Sequence, residues 1–370
     1  MNQIIIEREN LEHNIHMVKE KIKNLEHKPC IIAVIKGNGY GMDSLLLARK
    51  LLDFNIDFFA VSEIAEAKRL RENGFTNRIL LLESTCIERE VEEIISLDLI
   101  ATVGSLEALM LLNKKAEVAG KVVQAHLKID TGFSRFGFLI NNHVALQISE
   151  ALASLRNIEI TGTYSHFAES YANDKTKTEK QFEKFLEDVK LLNAHNVNTG
   201  MLHICNSSAF FKYPNMYLDA VRIGSAFTGR LQISEVTGLK RVGYLESEIC
   251  EIRDLPKGSE VGYSGTYVLK EDAKVAIVEA GYEAGVGVSG PRDSVRLIDK
   301  ARMLKSALSN FGKDGRMFVE INGKRCLVLG RVGMKNMMVD VSAIKAETGD
   351  KVKIPINLIF ANSNIERQEL

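Results

Sequence analysis

Between about residue 10 and residue 230 the chain repeats one pattern eight times: a short apolar run ending in polar or turn residues, then a helix or a loop. The runs are "CIIAVIK", "DFFAVSE", "ILLLES", "IATVGS", "QAHLKID", "EITGTYSHF", "MLHICNS" and "DAVRIGS". Amphipathic segments separate most of them. Examples are "LLLARKLLDF", "SEIAEAKRLREN", "SLEALMLLNKKAEVAG", "HVALQISEALASLRN" and "KTEKQFEKFLEDVKLLNAH", with apolar residues at helical spacing. Eight strands, each followed by a helix or loop, are the count of a (β/α)8 barrel. An open, doubly wound sheet would usually carry a GxGxxG turn after its first strand, and "GNGYGMD" has the wrong glycine spacing. The chain reads as an α/β protein with an N-terminal (β/α)8 TIM-type barrel.

After about residue 235 the texture changes. Helical periodicity fades, and "KVAIVEAGY", "MFVEINGKRCLVLGRV", "MMVDVS" and "KVKIPINLIF" follow one another as strands. In "INGK" the pair Asn322–Gly323 suits the positive φ angles of a two-residue hairpin turn. The expected organisation is a barrel over 1–235, its first strand a candidate to pair with the second domain, and a mostly β domain over 236–370. With 370 residues, 45% of them hydrophobic, the chain has apolar material for two cores.

Lys plus Arg balance Asp plus Glu at 48 each, which removes any electrostatic reason to expect nucleic acid or an acidic surface as partner. Five dispersed cysteines show no CxxC or other metal spacing and fit a reducing compartment. "MNQIIIEREN" lacks a signal-peptide pattern, and no apolar run approaches the ~20 residues that span a bilayer. A soluble, cytoplasmic chain is expected.

Barrels of this kind place their chemistry at the C-terminal ends of the strands. Lys36 and Tyr40 follow the first strand, Lys128, Asp130 and Arg135 lie on or after the fifth, and His166 ends the sixth. Asn206 and Ser207 end the seventh; Arg222, Gly224 and Ser225 end the eighth. The last two loops of such barrels commonly hold phosphate, and "NSS" and "IGS" let one approach the backbone closely. A lysine in a partly desolvated mouth loses its charge more readily, and a neutral amine forms a Schiff base with an aldehyde. His166 alone reads as a structural histidine and Arg222 alone as an ion-pair partner. Together with the phosphate loops and Lys36 they point to pyridoxal phosphate.

These residues stand in motifs that resemble the alanine racemases of the type III pyridoxal-phosphate fold over nearly the whole chain. "AVIKGNGYG" looks like that family's lysine motif, "HLKIDTGFSRFGF" its arginine motif and "YSHFAES" its histidine segment. "HICNSSAFF" and "VRIGSAFTG" look like its phosphate loops, "EVGYSGTYV" its tyrosine motif and "GRVGMKNMMVDVS" its substrate-carboxylate segment.

The resemblance implies roles. Lys36 would hold the cofactor and act as one acid/base. Tyr263, from the partner subunit of a homodimer with shared active sites, would be the other, because racemisation needs a proton-transfer group on each face. Arg222 would face the pyridine nitrogen, oriented by His166, and Arg135 would contact the cofactor phenolate and the substrate carboxylate. Tyr40, Ser207, Gly224 and Ser225 would take the phosphate, with Asn206 beside them. Met334 would receive the substrate carboxylate through its backbone N–H, and Tyr282 in "AGYEAG" would shape the entryway. For Lys128 the resemblance offers carbamylation, beside the plainer reading of an ion pair.

The match has departures. Lys335 stands where the family has an aspartate, and "LIFANSNIERQEL" has Asn362 or Asn364 where a tyrosine crowds the substrate methyl group. A short amide frees volume and offers a hydroxyl both a donor and an acceptor, which favours serine. The tail looks most like the racemase domain of membrane-bound serine racemases of vancomycin resistance. The expectation is a racemase interconverting L- and D-serine, with alanine secondary, that supplies D-serine for modified cell-wall precursors in glycopeptide resistance. The alternatives are an ordinary alanine racemase, a type III amino-acid decarboxylase with a catalytic cysteine in the β domain, and a non-enzymatic carrier of the cofactor.

Overall fold

Residues 2–231, 233, 238–289 and 317–370 are described by the structure, a computed structural model. Contacts divide the chain into two units: Arg8–Val242, and Met1–Glu7 joined with Gly243–Leu370. The 235/236 boundary expected from the sequence lies outside the described residues. The first strand, β1 (Gln3–Ile6), pairs antiparallel with β10 (Gly243–Leu255) and parallel with β18 (Glu366–Glu369), so it belongs to the second unit.

In the first unit all eight expected apolar runs form strands. They are β2 (Cys30–Val34), β3 (Phe58–Val61), β4 (Ile79–Leu81), β5 (Ala101–Val103), β6 (Val123–Lys128), β7 (Ile158–Tyr164), β8 (Met201–His203) and β9 (Ala220–Ile223). Neighbours in sequence are neighbours in the parallel sheet, and β2 pairs with β9 in the register Cys30↔Ala220 to Ala33↔Ile223. A bridge between Leu80 and Ile100 joins β4 to β5, which makes the sheet a nearly closed barrel.

Helices follow the strands: α1 (Arg8–Lys23) precedes the barrel, and α2 (Ser44–Asp53), α3 (Ile64–Glu72), α4 (Glu88–Ser96), α5 (Leu106–Val118), α6 (Asn142–Ser154), α7 (Thr176–Ala194) and α8 (Ser207–Lys212) run along it. Several start on side-chain caps, as the exposed N–H groups of a first turn require: Asp43 accepts from Leu45 and Leu46, Ser105 from Ala108, Asn141 from Val144. One apolar cluster, Ile32, Val34, Phe58, Ala60, Leu80, Ile100 and Ala220, packs within the barrel. On β6 to β9 the buried positions turn polar at His126, Lys128, His203 and Arg222. Polar groups are rarely buried without partners, so the barrel interior is itself a clue to chemistry.

The second unit is an eight-stranded sheet in the order β13-β16-β15-β14-β17-β10-β1-β18, with β13 (Ala273–Val278) also pairing β10. Its other members are β14 (Phe318–Ile321), β15 (Lys324–Leu329), β16 (Met337–Asp340) and β17 (Lys351–Ile354). A separate ribbon pairs β11 (Glu260–Val261) with β12 (Tyr267–Val268). Asn322 and Gly323, with φ of 50° and 72°, make the expected hairpin turn. The run "KVKIPINLIF" is a strand only as far as Ile354. Pro355 has no N–H to continue the ladder, and Leu358–Phe360 forms a 3₁₀ turn. Among the described residues no helix is long and apolar enough to cross a membrane.

Candidate active site

β2 delivers the chain to Lys36, and the next four residues have φ of 62°, 50°, 65° and 55°. This is a left-handed turn, closed by Gly39 N–H to Ile35 O and Gly41 N–H to Gly37 O, each 2.9 Å. Left-handed backbone is open to glycine and, at some cost, asparagine, so Gly37, Asn38 and Gly39 are the residues it needs. Lys36 is half-buried. Burial, and then the Arg135 guanidinium, pull its amine below the ordinary value, while Glu83 and Glu66 pull the other way.

The turn ends on Tyr40, whose hydroxyl lies against Gly224 at the end of β9: a Cβ there would collide with Tyr40 Oη. Burial pushes the Tyr40 phenol up to about 12, so it stays a donor. Ser207 Oγ accepts from the N–H groups of Gly224 (3.0 Å) and Ala226 (3.4 Å), which leaves its own proton for another acceptor. Tyr40, Ser207, Gly224 and the half-buried Ser225 thus come together. Asn206 Oδ1 caps α8 through Ala209 N–H and accepts from Ser170 Oγ, which holds the residue after the end of β8.

Arg222 is buried, and carbonyls and imidazoles surround it. Nη1 donates to His203 Nδ1 (2.7 Å) and His203 O (3.2 Å); Nη2 donates to Ser165 O (2.7 Å), Ile204 O (3.2 Å) and His166 Nδ1 (3.3 Å). Among the described residues its Nε–H meets no acceptor. Burial lowers Arg222 to about 10, still a cation at neutral pH. Guanidinium only donates, so His203 and His166 must both present a bare Nδ1. His203 then carries its proton on Nε2 and donates it to His126 Nδ1, 2.9 Å away. Burial, then Arg222, hold both His203 and His126 neutral, His126 down to about 3. Tyr164 stacks on His203 at 4.8 Å and fixes it from the side.

On the loop after β6, Asp130 Oδ1 accepts the N–H groups of Gly132, Phe133 and Ser134 and shapes the approach to Arg135. Arg135 lies over Phe133 (4.6 Å), and Phe133 meets His166 edge-on at 5.2 Å. Lys128 is 4% exposed and sits over the Tyr164 ring at 4.6 Å. Burial, followed by Arg222, Arg135 and Lys36, brings it down to about 7. The ion-pair reading is corrected: among the described residues no carboxylate lies within salt-bridge distance of Lys128.

The remaining candidates lie in the second unit. Tyr263 sits on a 3₁₀ turn between β11 and β12, 70% exposed. Its ring runs against Gly333. Tyr282 donates its N–H to Gly333 O, and Glu283 its N–H to Met334 O. Tyr282 and Met334 are 50% and 52% exposed, and the Met334 N–H meets no acceptor among the described residues. Met334, the exposed Lys335 and Asn362 line one cavity of about 180 Å³ with Glu279, Glu283 and Asn2. Asn362 Oδ1, however, accepts from Asn364 N–H and holds the turn before β18. Asn364 itself is exposed. Cys326, the cysteine a decarboxylase would need, is buried in β15, and burial raises its thiol.

The first unit offers an amine with a lowered pKa, a glycine-floored cradle with hydroxyl donors, and an arginine with one N–H left over. That donor set fits a phosphorylated pyridine aldehyde. His126 and His203 escaped the sequence reading, though both stand inside motifs it singled out.

Comparison with known proteins bears on the family and the fold. Residues 6–232 match the model of the alanine racemase N-terminal domain, and 242–363 that of the C-terminal domain. An alanine racemase of Methanococcus maripaludis is 31% identical over 93% of this chain and 87% of its own length. One of Borreliella burgdorferi is 31% identical over 95% and 87%. The solved alanine racemase of Clostridium difficile 630 superposes with a TM-score of 0.86 at 26% identity, covering all of this chain and 95% of that one. Two domain models in order, the identity to the alanine racemases above and a common fold lead to one conclusion: the chain belongs to the alanine racemase family.

Proposed function

We propose that this enzyme, a pyridoxal-phosphate-dependent racemase by family, interconverts L- and D-alanine in the cytoplasm as a homodimer with shared sites. The observation that carries the reading is the joint placement of Lys36, Tyr40, Gly224 and Arg222 at one end of the barrel strands. When bound, pyridoxal phosphate supplies an aldehyde for amine exchange and a ring that withdraws electrons from the substrate α-carbon.

The chain's residues do the rest. Lys36 carries the cofactor and moves a proton at Nζ on one face. Its lowered pKa keeps a fraction of the amine free to accept one. Tyr40 and Ser207 donate hydroxyl protons to the phosphate, and Gly224 leaves room for it. Arg222, still a cation at neutral pH, would offer its remaining Nε–H to the ring nitrogen of a bound cofactor. His203 and His166 hold that fork in one plane. Tyr263 and the Met334 N–H, exposed in the single chain, serve the partner's site from the opposite face and at the substrate carboxylate; Tyr282 stands at its entry. Lys128, neutral in part at pH 7, would add carbon dioxide at Nζ and release one proton to solvent, becoming a carbamate anion beside Arg135. A mass gain of one carbon dioxide under bicarbonate, absent in Lys128→Met, tests that step.

Serine is the second reading. It rested on Asn362 as donor and acceptor for a substrate hydroxyl, but the Asn362 acceptor is engaged by Asn364, and the relatives named above are alanine racemases. The role in glycopeptide resistance loses its footing with it. Chiral analysis after incubation with each L-amino acid decides: D-alanine accumulating far faster than D-serine supports the proposal, and the reverse order overturns it.

A further inference from the structure

α3 follows β3, the strand beside β2, and it reaches the Lys36 turn through two side chains one helical turn apart. Glu66 Oε1 accepts the N–H of Asn38 (3.2 Å), while its Oε2 accepts from Ser62 and Glu63 at the start of its own helix. Arg69 Nη1 donates to Asn38 Oδ1 (2.6 Å) and Ser44 Oγ (3.1 Å), and Nη2 to Asp43 Oδ2 (2.5 Å). Ser44 N–H completes the ring of contacts at Asn38 Oδ1 (3.1 Å). The segment from Asn38 to Ser44 is therefore held at its start and at its exit by one helix.

We infer that Glu66 and Arg69 are positioning residues that fix the left-handed turn and thereby aim Lys36 and Tyr40. The inference rests on the reading that Lys36 carries the cofactor. Left-handed backbone is disfavoured at each residue that is not glycine, and Asn38 and Tyr40 are two such residues in a row of four. The turn needs an outside brace, and the structure supplies it from α3. Lys36 opens the turn and Tyr40 closes it, so any relaxation displaces the amine and the phosphate-side hydroxyl together relative to Arg222 on β9. The Glu66 charge also reaches both groups, favouring the protonated amine of Lys36 and the protonated phenol of Tyr40. Around Lys36 it acts with Glu83 and against Arg135.

The test uses purified holoenzyme of the wild type, Glu66→Gln, Arg69→Lys and Lys36→Ala. Glutamine serves in a capping box as glutamate does, so Glu66→Gln keeps the helix start but cannot accept with both terminal atoms. Arg69→Lys keeps the cation and loses the fork. Three quantities are read: the pH titration of the bound cofactor's visible absorbance, kcat against KM, and the thermal midpoint. The expected result is a kcat lowered roughly ten- to a hundredfold in both clamp variants, with KM little changed. The absorbance titration should also move to lower pH in Glu66→Gln. A lowered thermal midpoint with wild-type titration and kcat would reduce the clamp to fold stability and overturn the inference. An absorbance band that survives Lys36→Ala would instead overturn the reading beneath it.

Discussion

Nη1 of Arg222 donates to Nδ1 of His203 across 2.7 Å, and the opposite nitrogen of that imidazole faces His126 at 2.9 Å. The relay begins on a permanent cation and runs inward through two neutral rings. A proton added to Nδ1 of His203 would point at the guanidinium. The same relay keeps the Arg222 fork from turning and sets which of its N–H groups is left for a ligand.

Neutral buried histidines make stability depend on pH. In the unfolded chain His126 and His203 titrate near ~6.5; in the native state both lie well below, His126 at about 3. Below ~6.5 the unfolded chain therefore binds protons that the native state refuses. Stability is complete above that pH and is lost as pH falls through the acid range, for His126 down to about 3, by roughly 1 kcal/mol per pH unit. His126→Gln keeps an acceptor for His203 and cannot titrate. Thermal midpoints from neutral to acid pH should fall less steeply in this variant, and parallel curves would contradict the assignment.

Gly37 and Gly39 separate backbone strain from crowding. Both have φ near +60°, but a Cβ at Gly37 meets nothing within 4 Å, while one at Gly39 lies 3.0 Å from Ser44 N. Gly37→Ala should lose about 1 kcal/mol, the strain of one left-handed residue. Gly39→Ala should lose that and more, because Ser44 is pinned by Arg69 and Asn38. Denaturant midpoints measure both, and equal losses would show that the turn yields freely.

Gly224→Ala drives a methyl group into the Tyr40 hydroxyl. Overpacking of this kind costs about 1–3 kcal/mol, and here it also displaces Tyr40, the proposed phosphate donor. Cofactor titration by fluorescence quenching should show weaker binding in Gly224→Ala, with a smaller change in Ala226→Gly, which leaves Tyr40 untouched. Unchanged affinity in Gly224→Ala would separate Tyr40 from the cofactor.

The barrel was legible because each of its strands is an apolar run between turn residues, and because the period of the chain switches cleanly from strand to helix. β10 was not. "GYLESEICEIRDL" carries acidic residues at Glu246, Glu248 and Glu251, which masks the alternation that buries Leu245, Ser247 and Ile249. The candidate site was legible where candidate residues stand at strand ends, as with Lys36, His166 and Arg222. His126 and His203 lie inside strands, where a histidine reads as filler until its partners are placed; His126 stands two residues before Lys128, on the same side of β6. Asn362 looks like a free amide in the sequence, whereas in the fold its Oδ1 accepts from Asn364 N–H.

The most direct test follows the α-proton. In deuterium oxide the wild-type holoenzyme should exchange the α-hydrogen of both L- and D-alanine. If Lys36 and Tyr263 serve opposite faces, Tyr263→Phe should lose exchange with one enantiomer and retain it with the other, as a group acting on a single face requires. Equal exchange of both enantiomers by Tyr263→Phe would contradict the account.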